Sequence, residues 1–319
     1  MQSNKLLEVN NLSVHFETYD GTAKVLQDVT FSIDRNRWTG LVGETGCGKS
    51  VTAFSIIKLL PISAKVVGGN ILFKGTDLIG ESEKSLRRIR GSEISMIFQD
   101  PSVAINPSLK IGNQITETIK IHQNISRHMA KERAAEIMKL VGLKSYCLDQ
   151  YAHELSGGMA QRVMIGLGLS CNPDLILADE PTSSLDVTVQ KDILALMRRL
   201  SLEYQTALLL ITHDLILVAQ TCQEIVVMYA GQVVERGPSG IVLKKSAHPY
   251  TRALVRAIPM VEERREYLEE LPGFVPNLLY RPAGCPFEPR CTLKIAGVCE
   301  RENPKEKLVG DRHYVRCHL

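Results

Sequence analysis

Residues Gly43-Glu44-Thr45-Gly46-Cys47-Gly48-Lys49-Ser50 fit the pattern G-x-x-x-x-G-K-[ST], with strand-like Trp38-Thr39-Gly40-Leu41-Val42 before them and a helix-like run from Val51 to Leu60 after. The strand, loop and helix context gives the pattern its meaning. A loop that wraps phosphate oxygens turns its backbone N–H groups inward and leaves no room for Cβ atoms, which favours glycine. Gly43, Gly46 and Gly48 meet that demand. Lys49 carries a mobile cation toward the β- and γ-phosphates and Ser50 offers a hydroxyl to Mg²⁺. The helix N-terminus adds its orphan donors and the positive end of its dipole. These residues predict an α/β chain that holds a nucleoside triphosphate.

Composition narrows the remaining classes. A net charge of +3 against 38 basic and 35 acidic side chains gives no electrostatic reason to expect a nucleic-acid partner. Met1 to Glu8 has no apolar core of signal-peptide length, so a secreted chain is not expected. The longest apolar stretches, near Ala207 to Ile211 and Ile225 to Ala230, fall far short of the ~20 residues that cross a bilayer. Eight cysteines without a secretory signal read as ligands, nucleophiles or core residues of a reducing compartment. Four of them, Cys285, Cys291, Cys299 and Cys317, crowd the tail.

Along the chain, Leu6 to Phe16 and Val25 to Ile33 read as antiparallel strands around a turn at Asp20-Gly21. Ile111 to Leu143 reads as a helical insert, clearest at Ala130 to Leu140. From Gly158 the pattern alternates helix and strand, the signature of a mainly parallel sheet covered on its faces. Glu224 to Tyr229 and Gln232 to Glu235 form a hairpin-like pair turned at Gly231. Nine of the 14 prolines fall between Pro238 and Pro304, so a second, smaller unit is expected to begin after Gly237.

Two further motifs carry chemistry. Leu175-Ile176-Leu177-Ala178-Asp179-Glu180 is a short apolar strand ending in two carboxylates. Asp179 there suits Mg²⁺, and Glu180 suits the orientation or deprotonation of water beside a γ-phosphate. In Leu155-Ser156-Gly157-Gly158-Met159, Ser156 reads as an N-cap and the two glycines open a helix. That start is a second anion-binding feature in a chain with one triphosphate loop.

Together these motifs closely resemble the ATP-binding-cassette ATPases, over about residues 6 to 237. The resemblance implies an α/β fold of the ABC-type P-loop class: a mainly parallel core sheet, an antiparallel β subdomain and a helical subdomain at about 100–165. Residues 1–237 would form this domain and residues 238–319 a small extension. Within it, Gly43 to Val51 would bind ATP and Phe16 would stack on adenine, where members usually carry an aromatic. Lys49, Gln99, Glu180 and His213 would act in hydrolysis. Mg²⁺ would be held through Ser50, Gln99 and Asp179. Ser183-Ser184-Leu185-Asp186 matches the loop that crosses the dimer interface, with Ser184 where many members have alanine. Leu155, Ser156, Gly157, Gly158 and Met159 match the signature that caps ATP on a second cassette. The two anion features are thereby reconciled, because such domains pair head to tail.

The tail narrows the branch. His248-Pro249-Tyr250-Thr251-Arg252-Ala253-Leu254, Gly284-Cys285-Pro286-Phe287, Pro289-Arg290-Cys291, Cys299 and Arg316-Cys317-His318 resemble the extension of oligopeptide, dipeptide and nickel importer ATPases. That resemblance implies a peripheral ATPase on the cytoplasmic face of the cell membrane. Its partners would be a second ATPase, usually a paralogue, two transmembrane permease subunits and an extracytoplasmic substrate-binding protein. Import of a nickel or metal chelate by the same machinery, or a soluble cassette with an assembly role, stays as an alternative. The donor set Cys285, Cys291, Cys299 and Cys317 suits either Zn²⁺ or an iron–sulfur cluster, and intervals of five, seven and seventeen residues match no standard spacing for either. The family resemblance favours a [4Fe–4S] cluster. Cys47 has two readings, a small side chain filling its place or a thiol made reactive by Lys49 and the helix N-terminus.

Overall fold

The computed structural model describes residues 4–183, 185–257 and 273–319. The chain folds as two compact units, Met1–Gly80 with Leu210–Leu319, and Glu81–Leu209.

The first unit opens with β1 (Lys5–Thr18) and β2 (Gly21–Asp34), a long antiparallel hairpin. Leu7 and Val9 point into the interior with Glu8 between them, and register shifts near Leu12 and Val14 bend the ribbon. Strand β3 (Trp38–Val42) is buried throughout and leads through the glycine loop into helix α1 (Lys49–Ile56). Next come β4 (Ala64–Phe73) and the two-residue β5 (Thr76–Asp77), which complete an antiparallel sheet of order β2-β1-β4-β5.

The second unit begins with α2 (Glu83–Ile89), β6 (Ile94–Ile97), α3 (Pro101–Ala104), α4 (Ile111–His122) and α5 (Arg127–Leu140). The expected helical insert is two helices, and their spacing explains them. Ile111, Ile115 and Ile119 of α4 and Ala130, Ala134, Ile137 and Met138 of α5 recur every three or four residues and bury one face each. Helix α6 (Gly157–Leu169) brings Ala160 and Val163 to the same cluster. Strand β7 (Leu175–Asp179), fully buried, pairs parallel with β6, and α7 (Val187–Tyr204) follows. Strand β8 (Ala207–Thr212) carries the chain from the second unit back into the first.

There α8 (Leu215–Thr221) packs on β3, where Val218 leaves Gly40 no space for a Cβ. Strand β9 (Glu224–Tyr229) pairs parallel with β3 and antiparallel with β10 (Gln232–Pro238). Helices α9 (Ser239–Lys244) and α10 (Pro249–Arg256) lead into the tail. The tail contributes β11 (Glu306–Gly310) and β12 (His313–Arg316), and β12 adds antiparallel to β10 through Glu235↔Val315. The join is polar and buried. Glu235 accepts from the N–H groups of Ala247 and His248 at 2.7 and 3.0 Å and lies 2.7 Å from His313 Nε2. Burial pushes the His248 imidazole down to about 3, so it is neutral and its Nδ1 accepts from Tyr250 N–H at 3.0 Å.

Candidate nucleotide-binding site

In the first unit, β3 delivers the chain to Gly43 and α1 starts at Lys49, so residues 43–48 form the loop between strand and helix. Gly43, Gly46 and Gly48 take φ angles of 153°, 82° and 102°. A Cβ at Gly43 would lie 2.2 Å from the Met228 carbonyl oxygen, and one at Gly48 2.6 Å from Leu26 Cδ2, so both positions require glycine. Gly48 is the N-cap of α1 and has no side-chain acceptor to compete with a phosphate for the first-turn N–H groups. Lys49 is buried, and its Nζ donates to the carbonyls of Gly43 and Glu44 at 2.7 and 3.1 Å. Ser50 and Val51 follow, half-buried on α1, while Thr45 and Gly46 are exposed.

Cys47 is fully buried, and burial pushes its thiol up despite the opposing charge of Lys49. The reactive reading of this cysteine fails here, because desolvation of the thiolate outweighs the neighbouring cation. Phe16 sits half-buried on β1, opposite Ala23 of β2 and Ala64 of β4. His213 is exposed just after β8, beside Asp214, whose carboxylate caps α8 by accepting from Ile216 and Leu217 N–H at 2.8 and 3.1 Å.

In the second unit, Asp179 ends β7 and is buried, and Glu180 follows with a left-handed φ of 43°. Gln99 Nε2 donates to Glu180 Oε2 at 3.1 Å, which brings together two site residues 81 positions apart. Ser156 is exposed and caps α6 by accepting from Met159 N–H at 3.4 Å. Leu155 precedes that cap, and Gly157 and Gly158 form the first turn, where a Cβ at Gly158 would come 3.1 Å from Val189 Cγ1. Ser183 Oγ donates to the Glu180 carbonyl at 3.2 Å, Leu185 is half-buried, and Asp186 caps α7 through Thr188 and Val189 N–H. Ser184 lies outside the described residues.

The sequence places Tyr250 and Arg290 only within the tail's resemblance and gives no sign that they hold Glu44. Its backbone N–H donates to Tyr250 Oη at 3.0 Å, and its carboxylate pairs with Arg290 Nη1 at 3.0 and 3.1 Å. Arg290 Nη1 also donates to Tyr229 Oη at 3.3 Å.

The four tail cysteines line one small cavity with His248, Phe287 and His318. Cys285 N–H donates to the Cys299 carbonyl at 2.8 Å, and burial pushes the Cys285 thiol up to about 11. The donor chemistry suits a thiolate-bound metal, but among the described residues no group of three or more His, Cys, Asp or Glu is arranged to hold one.

Comparison with known proteins gives these features a common origin. Residues 26–183 match the family model for ABC transporters, and residues 234–299 match that for the oligopeptide/dipeptide transporter C-terminal region. The chain is similar to a probable peptide ABC transporter ATP-binding protein, y4tR, of Sinorhizobium fredii, at 44% identity over 99% of this chain and 97% of that protein. It is 43% identical to the dipeptide transport ATP-binding protein DppD of Bacillus subtilis, over 99% of this chain and 95% of the relative. In fold it is similar to the ATP-binding cassette MJ0796, solved as a dimer in a post-hydrolysis state with ADP and Pi. There the TM-score is 0.66 at 24% identity, covering 73% of this chain and 98% of that one. The fold is thus that of the ATP-binding cassette, α/β with mixed sheets. The chain belongs to the ABC transporter ATP-binding proteins, in their oligopeptide/dipeptide branch.

Proposed function

We propose that this chain is the ATP-hydrolysing subunit of an importer for dipeptides or oligopeptides. Similarity to peptide-transport ATPases along 99% of the chain, including the tail matched at residues 234–299, carries this reading. The relatives favour peptides over the nickel or metal-chelate alternative.

In this reading residues 1–237 are the cassette, with a helical subdomain at about 100–165, and residues 238–319 are its extension. Gly43 to Val51 cradle the triphosphate, Lys49 neutralises the β- and γ-phosphates, and Ser50, Gln99 and Asp179 serve Mg²⁺. Glu180 is the general base and His213 the γ-phosphate sensor. The Gln99 to Glu180 hydrogen bond supports a shared role at the attacking water. Ser156 and Gly158 cap ATP held by a second, paralogous ATPase. The remaining partners are two permeases and an extracytoplasmic binding protein. Among the described residues no helix is long and apolar enough to cross a membrane. As an importer ATPase the chain would sit peripherally on the cytoplasmic face of the cell membrane.

The tail cysteines are read as a [4Fe–4S] site, with Zn²⁺ as the alternative, on the chemistry of four thiols lining one cavity, although among the described residues they are not arranged to hold a metal. A cluster would staple the tail through four of its side chains.

One preparation tests both parts. Glu180→Gln, purified anaerobically from membranes, is expected to bring two hydrophobic subunits with it, bind ATP, and release phosphate at least about 100-fold more slowly than the parent. Unchanged phosphate release would remove Glu180 as the base. The same sample is expected to show visible thiolate-to-iron absorption that dithionite bleaches. A colourless protein containing only zinc would remove the cluster.

A further inference from the structure

We infer that Arg290 of the tail is a positioning residue of the ATP pocket, holding the phosphate loop through Glu44. The inference rests on the reading of residues 43–51 as the phosphate loop.

Glu44, the second residue of that loop, is gripped at both its main chain and its side chain by residues from the far end of the sequence. Tyr250 Oη, on a fully buried ring, accepts its N–H at 3.0 Å. Arg290, with a side chain only 6% exposed, pairs with both carboxylate oxygens at 3.0 and 3.1 Å. The guanidinium also donates to Tyr229 Oη and lies 5.7 Å from the centre of that ring. Phe287 fixes the support from behind, with its ring 5.2 Å from Tyr229 and 5.4 Å from Tyr250.

The grip reaches the phosphate-binding lysine directly, since the Glu44 carbonyl accepts from Lys49 Nζ at 3.1 Å. Gly43 has no slack either, as it is pressed against the Met228 carbonyl. Moving Glu44 therefore moves an acceptor of Lys49. Arg290 is enclosed while Glu44 keeps 28% of its side chain exposed, so removing Glu44 leaves a buried cation unpaired, and removing Arg290 releases the loop residue it holds.

Binding of MgATPγS to the full chain, by calorimetric titration, tests the role. Arg290→Met is expected to raise Kd about tenfold, and Arg290→Lys, which keeps the charge but not the planar guanidinium, to recover only part of that loss. Glu44→Gln is expected to raise Kd to a similar extent, with Arg290→Met/Glu44→Gln no worse than either single variant. A residue that only stabilises the fold would reduce the number of titrated sites and leave Kd unmoved. A Kd within about twofold of the parent for Arg290→Met, or single effects that multiply in the double variant, would overturn the inference. If Arg290→Met does not fold, Glu44→Gln decides alone, an unchanged Kd again overturning it. Lys49→Ala separates the two levels. Wild-type affinity in Lys49→Ala would bring down the phosphate-loop reading itself. Lost affinity there, beside an unaffected Arg290→Met, would bring down only the role of Arg290.

Discussion

Cys47 shows how one environment decides a side chain's chemistry. It neighbours a lysine and a helix N-terminus, both of which favour thiolate, yet it is wholly enclosed, and desolvation prevails. A thiol pushed up in this way is almost entirely protonated at neutral pH. Maleimide at pH 7.5 is expected to modify Cys47 at least about tenfold more slowly than free cysteine, followed by peptide mass spectrometry. Modification at the free-cysteine rate, blocked by ATP, would reverse that conclusion. Glu44 is the opposite case, a residue that looks like loop filler until its partners are known. Its tie to Arg290 spans 246 positions and joins two single residues. No periodicity or spacing announces such a pair, which is why the glycines and Lys49 were legible in the sequence and Arg290 was not.

At the scale of elements, the readable signals were local ones. Ser156, Asp186 and Asp214 each accept from N–H groups in the first turn of their helix, so the starts of α6, α7 and α8 are written in single residues. Helix α2 starts at the N-cap Ser82, and its Glu83 pairs with Arg87 in the helix and with Arg90 at its C-cap. Strands β11 and β12 gave less warning. Strand β11 is exposed from Lys307 to Gly310, and β12 gains its place by pairing with β10 and by Arg236, which forks onto Glu306 at 2.9 and 2.7 Å and covers the Tyr314 ring. The apolar faces of α4 and α5 make the opposite kind of element, held by packing. Ile115→Ala should cost about 2–5 kcal/mol of stability, since the fully buried side chain leaves a cavity between helices. Urea denaturation reads this directly, and a loss below about 0.5 kcal/mol would show that the cluster does not hold these helices together.

At the scale of the molecule, the unit that carries the phosphate loop is assembled from both ends of the sequence, residues 1–80 and 210–319. Its loop at Gly43 to Ser50 is shaped by Met228 and Gly231, tied by Tyr250 and braced by Arg290. Synthesis runs in one direction, so the ribosome makes the loop early and its supports late. A nascent chain arrested after residue 237 lacks Tyr250 and Arg290, and is expected to be retained on immobilised ATP at least about tenfold less than the released full-length chain. Equal retention would mean the loop matures without them. If retention falls as expected, a cell that makes this subunit has a built-in delay: a truncated translation product would carry the nucleotide motif without Tyr250 and Arg290, and would hold ATP more weakly than a complete copy.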